Sequence, residues 1–192
     1  ACVLRGQNAV NTHVGDVVVV IGAGPIGVMH VMLAKLRGAS AVIVSEMNPA
    51  RLEQARAFGA DHAATPDQLA DVVKTVTHGD GADVVIVAAP AHKAQENAIE
   101  LAAIGGRINY FGGLPKDKPT ITFDSNAVHY KELVVTGTTA CSTQDCRQAA
   151  AIVASGRIDL GQLASTRFPL AQANEAFAAA QEGKALKIVL EP

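Results

Sequence analysis

The chain has 192 residues, of which 49% are hydrophobic and 18% charged, so it can bury a sizeable core as one domain or as half of a two-domain enzyme. Its formal net charge of −2 and its lack of any dense Lys/Arg run argue against nucleic-acid and anionic-membrane partners. No apolar run, including that at residues 17–21, is long enough to span a bilayer, and the first residues lack a signal-peptide pattern, so we expect a cytoplasmic protein.

Strand-like and helix-like segments alternate along the chain. Residues 17–21 are continuously apolar and β-branched, as expected for a parallel strand that is covered on both faces. Strands are predicted at 17–21, 41–44, 83–87, 107–111, 133–136 and 186–190, and helices at 2–10, 26–38, 48–58, from 91 to the glycines at 105–106, 142–156 and 171–181. This alternation predicts an α/β fold with a doubly wound parallel (Rossmann) sheet, followed by a C-terminal helix-helix-strand return segment.

A glycine-rich turn joins the first strand to the next helix. Gly22 permits the tight turn, Gly24 lets a pyrophosphate approach the backbone, and Gly27 lets the helix pack closely on the strand. The N–H groups and the positive dipole end of that helix favour a doubly negative pyrophosphate. The turn, including Pro25 and Ile26, therefore predicts a dinucleotide site.

The choice between NAD and NADP depends on two residues after the second strand. Glu46 at the strand's end can accept hydrogen bonds from both adenosine ribose hydroxyls and would repel a 2′-phosphate. Arg51 is the competing signal, because its guanidinium is suited to bind such a phosphate. No arginine directly follows Glu46, so NAD is the predicted cofactor.

Four segments together resemble the medium-chain dehydrogenase family over nearly the whole chain: 19–27 (VVIGAGPIG), 48–52 (NPARL), 81–85 (GADVV) and 105–107 (GGR). The resemblance is closest to the zinc-containing alcohol and sorbitol dehydrogenase branch, whose turn usually reads GAGPIG. It implies an oxidoreductase that transfers hydride from a secondary alcohol or polyol to NAD. It also implies that residues 1–140 form the dinucleotide-binding domain and that 141–192 pack on it and toward a catalytic domain.

The resemblance assigns further cofactor contacts residue by residue. Ile26 would cover the pyrophosphate turn, Glu46 would bind the ribose hydroxyls and Arg51 would lie beside the adenosine ribose. The residues expected on the nicotinamide side are Gly112, Gly113, Leu114, Thr138 and Thr139, and Lys187 is expected to reach the pyrophosphate from the C-terminal tail.

The resemblance also implies what lies elsewhere. The family's zinc ligands and proton relay belong to a domain that would precede residue 1, so zinc is expected only there and the chain is expected to be a fragment. Sorbitol dehydrogenases tend to have an arginine near the polyol where this chain has Ala140 and Cys141, which weakens the polyol assignment. The alternatives are a zinc-free NADPH-dependent reductase of the same family and a non-catalytic NAD-sensing module.

Cysteine and histidine spacing suggests no metal site in the chain itself. Cys2, Cys141 and Cys146 show no paired spacing and are expected to be reduced thiols. The six histidines show no HxH or HxxxH pair. The apolar strand at 133–136 is either an edge that pairs across a two-fold axis in a homo-oligomer or an edge covered by the C-terminal tail.

Overall fold

The computed structural model describes residues 1–164, 166–183 and 185–192. The helices are α1 (Cys2–Ala9), α2 (Pro25–Leu36), α3 (Pro49–Ala57), α4 (Leu69–Val76), α5 (His92–Leu101), α6 (Ser125–Tyr130), α7 (Thr143–Ala154) and α8 (Ala173–Glu182), with short 3-10 turns at Leu160–Leu163 and Leu170–Gln172. The strands are β1 (Val17–Ile21), β2 (Ala41–Ser45), β3 (His62–Ala64), β4 (Ala82–Val87), β5 (Ala102–Tyr110), β6 (Val134–Gly137), β7 (Thr166–Pro169) and β8 (Ile188–Glu191). None of the helices described in these ranges is long and apolar enough to cross a bilayer.

The first six strands form one parallel sheet in the order β3-β2-β1-β4-β5-β6. The chain moves outward in one direction from β1 to β3 and then in the other direction from β4 to β6, so the order reverses between β1 and β4. This topology confirms the predicted doubly wound sheet, and it places the expected ligand crevice at the carboxyl ends of β1 and β4.

Both faces of the central strands are buried, which explains their unbroken apolar runs. On one face Val19 and Val85 pack with residues of α4 and α5. On the other face Val18 and Val84 pack with residues of α2 and α3. Alternate side chains of a single strand therefore supply two separate cores.

The helix predicted to run to the glycines at 105–106 ends earlier, at Leu101. Ala102 adopts an extended conformation and pairs with Ala82 of β4, and the register between β4 and β5 then shifts before Arg107. Gly105 lies in this irregular stretch of β5 with a φ of +72°. The glycines therefore allow a bulge in a strand rather than ending a helix.

The C-terminal segment packs along helices that precede it in the chain. Ala149 and Ile152 of α7 pack against a cluster that contains Leu4 of α1 and Leu33 of α2. β7 and β8 pair with each other in parallel. The tail strands thus form their own ladder, and β6 is left as the last strand of the main sheet.

A buried polar cluster lies between α1, α2 and the end of β5. The Gln7 amide donates to the His30 carbonyl oxygen at 2.8 Å and lies 3.4 Å from His30 Nδ1. The His30 ring meets Phe111 edge-on, with the centroids 4.7 Å apart, and its Nε2 has no hydrogen-bond partner. Burial lowers the pKa of His30 to about 3, so the ring is neutral at physiological pH.

Candidate functional site

The glycine turn at the end of β1 has the geometry that its sequence predicts. Gly22 has a φ of +107° and donates its N–H to the Ser45 carbonyl at 2.7 Å. A Cβ at Gly27 would lie 1.8 Å from the Gly22 oxygen, whereas a Cβ at Gly24 would meet nothing within 4 Å. Gly27 is therefore required for packing, and Gly24 leaves open space at the start of α2.

The first turn of α2 is available to an anion. Gly24 is the N-cap residue, Pro25 follows it within the first turn, and no side chain caps the helix. Ile26, at the second helical position, is partly exposed beside the turn. A 12-residue helix thus directs its positive end toward the open space above Gly24.

Loops from three strands meet at this edge of the sheet. A Cβ at Gly22 would lie 3.3 Å from Ala89, in the loop after β4, and a Cβ at Gly112, after β5, would lie 2.9 Å from the Ala89 carbonyl carbon. The Gly112 carbonyl also accepts a hydrogen bond from Gln95 of α5 at 2.8 Å. Gly22 and Gly112 therefore face the same short loop from opposite sides.

Glu46 is held against the glycine turn by backbone donors. Its Oε2 accepts from the Ala23 N–H at 2.9 Å, and its Oε1 accepts from the N–H groups of Met47 and Asn48 at 2.8 and 3.1 Å. An ionised carboxylate has about four acceptor sites, so these bonds leave acceptor capacity unused. The negative charge predicted for the ribose position does lie directly beside the turn.

A cavity of about 250 Å³ opens between the ends of β1, β2 and β4. Its walls are mostly apolar, with Met47, Pro66, Leu69 and Ala94 among the apolar lining residues. Gly22 and the polar residues Glu46, Lys93 and Asn97 also line it. The apolar walls and the adjacent carboxylate suit the adenosine end of a dinucleotide. The residues that the sequence analysis missed are those contributed by α4 and α5.

Arg51 lies in the first turn of α3 and is directed toward the C-terminal part of the chain. Its Nη2 is 3.2 Å from the position of a Cβ at Gly183, which caps the end of α8. Its Nε is buried with no hydrogen-bond partner. The guanidinium therefore lies against the end of α8 and has unused donor capacity.

The predicted nicotinamide residues lie at the ends of β5 and β6. The Asn109 amide nitrogen is 3.2 Å from the Thr138 hydroxyl and donates to the Gly6 carbonyl at 2.8 Å. Thr139 is exposed, and a Cβ at Gly113 would meet nothing within 4 Å. Buried Asn109 thus fixes the segment after β6, a role that its position in the strand did not reveal.

Leu114 and Lys187 complete the predicted set. Leu114 is half-buried in the loop after β5, and Lys187 is exposed just before β8. The neighbouring Leu186 is buried against Val28, in the first half of α2. The tail therefore passes close to the helix whose N-terminus follows the glycine turn.

The described residues provide no candidate zinc centre. Among residues 1–164, 166–183 and 185–192, no group of three or more His, Cys, Asp or Glu side chains is arranged to hold a metal ion. The three cysteines are free thiols. The described residues therefore do not fit a zinc ion.

Comparison with known proteins gives the family. The sequence model described as zinc-binding dehydrogenase matches residues 25–155. The L-threonine 3-dehydrogenase of Rhizobium johnstonii is 32% identical over 191 residues, covering 96% of this chain and 54% of that protein. The chain thus spans about half the length of this relative.

Solved structures agree in fold over the whole chain. Alcohol dehydrogenase TADH from Thermus sp. ATN1 superposes with a TM-score of 0.92 at 28% identity, covering 100% of this chain and 55% of that one. A Sinorhizobium meliloti 1021 protein of the zinc-binding dehydrogenase class, bound to NADP, has a TM-score of 0.89 at 28% identity, covering 100% of this chain and 56% of its own. On the glycine turn, the sheet order and the matched sequence model, the chain belongs to the zinc-binding dehydrogenase family.

Proposed function

We propose that this chain is the cofactor-binding half of an oxidoreductase that transfers hydride from a secondary alcohol or polyol to NAD. The observation that carries the proposal is the open space above Gly24, with the Glu46 carboxylate fixed against the same turn. The R. johnstonii relative is named for L-threonine, itself a secondary alcohol. Ala140 in place of an arginine makes a polyol the less favoured substrate class.

The pyrophosphate is proposed to bind at the start of α2. A side chain at position 24 would fill the space that the phosphate oxygens need, and the uncapped first turn supplies backbone donors. Lys187 is proposed to add a positive charge from the tail, since Leu186 fixes that part of the chain against α2. Ile26 shields the same phosphates from solvent.

The adenosine is proposed to occupy the cavity beside Glu46. The carboxylate keeps acceptor capacity for the ribose hydroxyls, and it would oppose the charge of a 2′-phosphate. Arg51 is the residue that favours the alternative cofactor, because its buried Nε is unpaired. The NADP-bound S. meliloti relative makes an NADPH-dependent enzyme the second candidate.

The nicotinamide is proposed to lie along the loops that follow β5 and β6. When bound, its ring accepts the hydride from the alcohol. Gly112, Gly113 and Leu114 would line one side of the ring, and the backbone at Thr138 and Thr139 would meet its carboxamide. Asn109 holds Thr138 in place for that contact.

The cofactor preference is tested by titrating the purified 192-residue chain with NADH and with NADPH. We expect the chain to bind NADH more tightly than NADPH. Glu46→Gln should reduce the ratio of the two dissociation constants by about tenfold or more, which corresponds to the loss of one charge-assisted interaction. The matched control is Glu53→Gln, because Glu53 is an exposed glutamate on α3 whose ion pair is with Arg56. Tighter binding of NADPH by the unchanged chain would contradict the role given to Glu46.

Turnover is a separate test. The described residues hold no zinc site, so zinc and the proton relay are proposed to belong to another domain of the protein. We expect the 192-residue chain to bind NADH and to oxidise no alcohol with added zinc. Zinc-dependent turnover by this chain alone would refute the division into 1–140, 141–192 and a separate catalytic domain. We also propose that the protein is a cytoplasmic homo-oligomer.

A further inference from the structure

Cys2, near the start of the sequence, lies beside Cys141 and Cys146 in the structure. Cys141 follows β6, Cys146 is in the first turns of α7, and Cys2 begins α1. The Sγ atoms of Cys141 and Cys146 are 3.7 Å apart. Interaction with the Cys141 thiol, together with burial, raises the pKa of Cys2.

The backbone holds Cys141 and Cys146 in this arrangement. Ser142, between them, caps α7 by accepting from the Asp145 N–H at 3.1 Å, while the Asp145 carboxylate accepts from the Ser142 N–H at 2.7 Å. The Cys146 N–H donates to the Ser142 carbonyl at 3.1 Å. This capping box fixes the turn that brings the two sulfurs together.

The geometry suits a bond between the two sulfurs better than a metal ion. A disulfide needs the sulfurs at about 2.05 Å, so each must move by less than an ångström from the observed separation. Cys146 is exposed, so its side chain is free to rotate toward its neighbour. In the described part of the chain no three ligand side chains are placed to hold a metal ion, and this excludes the cysteine cluster as a metal site.

We propose that Cys141 and Cys146 form an oxidisable dithiol that hydrogen peroxide converts to an intramolecular disulfide. The exposed Cys146 thiolate attacks one peroxide oxygen, the O–O bond breaks, and the released hydroxide takes a proton to become water. The resulting sulfenic acid is attacked by the Cys141 thiolate, the S–S bond forms, and the sulfenic oxygen leaves as a second water. Two thiols are oxidised by two electrons, and one peroxide is reduced to two waters.

This site is distinct from the cofactor contacts and does not depend on the proposed function. It lies just beyond Thr138 and Thr139, and the new bond would tie the segment after β6 to the first turns of α7. Cys2, which is half-buried against Cys141, is the competing partner. The test therefore has to show which cysteines are joined.

Trypsin digestion separates the alternatives. The peptide 132–147 contains both Cys141 and Cys146 and no internal Lys or Arg, whereas Cys2 is in the peptide 1–5. The folded chain is treated with peroxide, free thiols are alkylated, and the digest is analysed by mass spectrometry. We expect 132–147 unalkylated and lighter by two hydrogen atoms, 1–5 alkylated, and complete reversal by a thiol reductant.

Matched variants make the result specific. Cys2→Ser should give the same cross-link, while Cys146→Ser, which leaves the capping residues in place, should give none; circular dichroism confirms that each variant is folded. Alkylation of all three cysteines, added oxygen on 132–147 without the loss of two hydrogens, or a link between 132–147 and 1–5 would overturn the proposal. The measurement uses no cofactor, so its failure would leave the NAD-binding proposal unaffected.

Discussion

Buried His30 should make the stability of the chain depend on pH in a defined direction. Its pKa is about 3 in the folded chain, against 6.5 for an unperturbed histidine, because burial penalises the charged ring. The unfolded chain therefore binds the proton more readily, so this stability is complete above pH 6.5 and is lost as the pH falls toward 3. One pKa unit corresponds to about 1.4 kcal/mol, so we expect a loss of about 1.4 kcal/mol from this group between about pH 7.5 and pH 5.5. The free energy lost over this interval does not depend on the exact pKa of folded His30, because that pKa lies well below the interval.

The assay is urea unfolding at the two pH values, on the unchanged chain and on His30→Leu. Leucine is similar in size to histidine and does not titrate, so the variant should lose about 1.4 kcal/mol less free energy of unfolding over this interval. All other groups titrate in both proteins and cancel in the difference. Parallel pH dependences of the unchanged chain and His30→Leu would refute the inference that His30 is neutral and buried.

Three further changes test the fold and the turn. Gly27→Ala should lower the free energy of unfolding in urea by about 3 kcal/mol or more, because the new Cβ would clash with the backbone. Gly24→Ala should change the free energy of unfolding by less than about 1 kcal/mol but weaken NADH binding measured by titration. Equal stability losses in the two variants would contradict this distinction. Arg107→Met should cost about 2–3 kcal/mol, since it leaves the buried Asp16 carboxylate without its 2.7 Å partner; no change in the unfolding midpoint would contradict a structural role for the pair. Ser142→Ala should cost about 1 kcal/mol by removing the cap of α7, and an unchanged midpoint would show that the capping box is not formed in solution.

The parts of the fold that were predictable are those that a single stretch of sequence determines. The valine run of β1 and the glycine turn each have their own local signal, and the structure confirms both. The spacing of Ser142 and Asp145 is a local signal of the same kind, and these two residues form the capping box of α7. β3 has only three residues, and the N-cap residue of α4, Gln68, makes no side-chain capping bond. A strand of three residues is too short to show a pattern of its own. In α4, by contrast, Leu69, Val72, Val73 and Val76 recur at helical spacing, so this helix was predictable although the sequence analysis did not include it.

The same distinction applies to the candidate site. Glu46 was predictable because it directly follows a strong strand, and the structure places it against the turn. Part of the cavity wall comes from α4 and α5, and Asn109 acts through a contact with the segment after the next strand. The approach of Cys2 to the other two cysteines depends on α7 packing against α1, two helices that are far apart in sequence. Pairings of this kind require knowledge of the tertiary structure.

The central position of β1 has a consequence for how the chain folds. Val18 pairs with Val42 on one side, which is available soon after β1 is synthesised, but on the other side it pairs with Val84. The chain reaches Val84 only after β2, α3, β3 and α4. Until then an all-apolar strand has an open edge, and non-local parallel pairing of this kind is slow to form. We therefore expect a nascent chain of that length to be prone to aggregation, and we expect a chaperone that covers the open edge to raise the yield of folded protein.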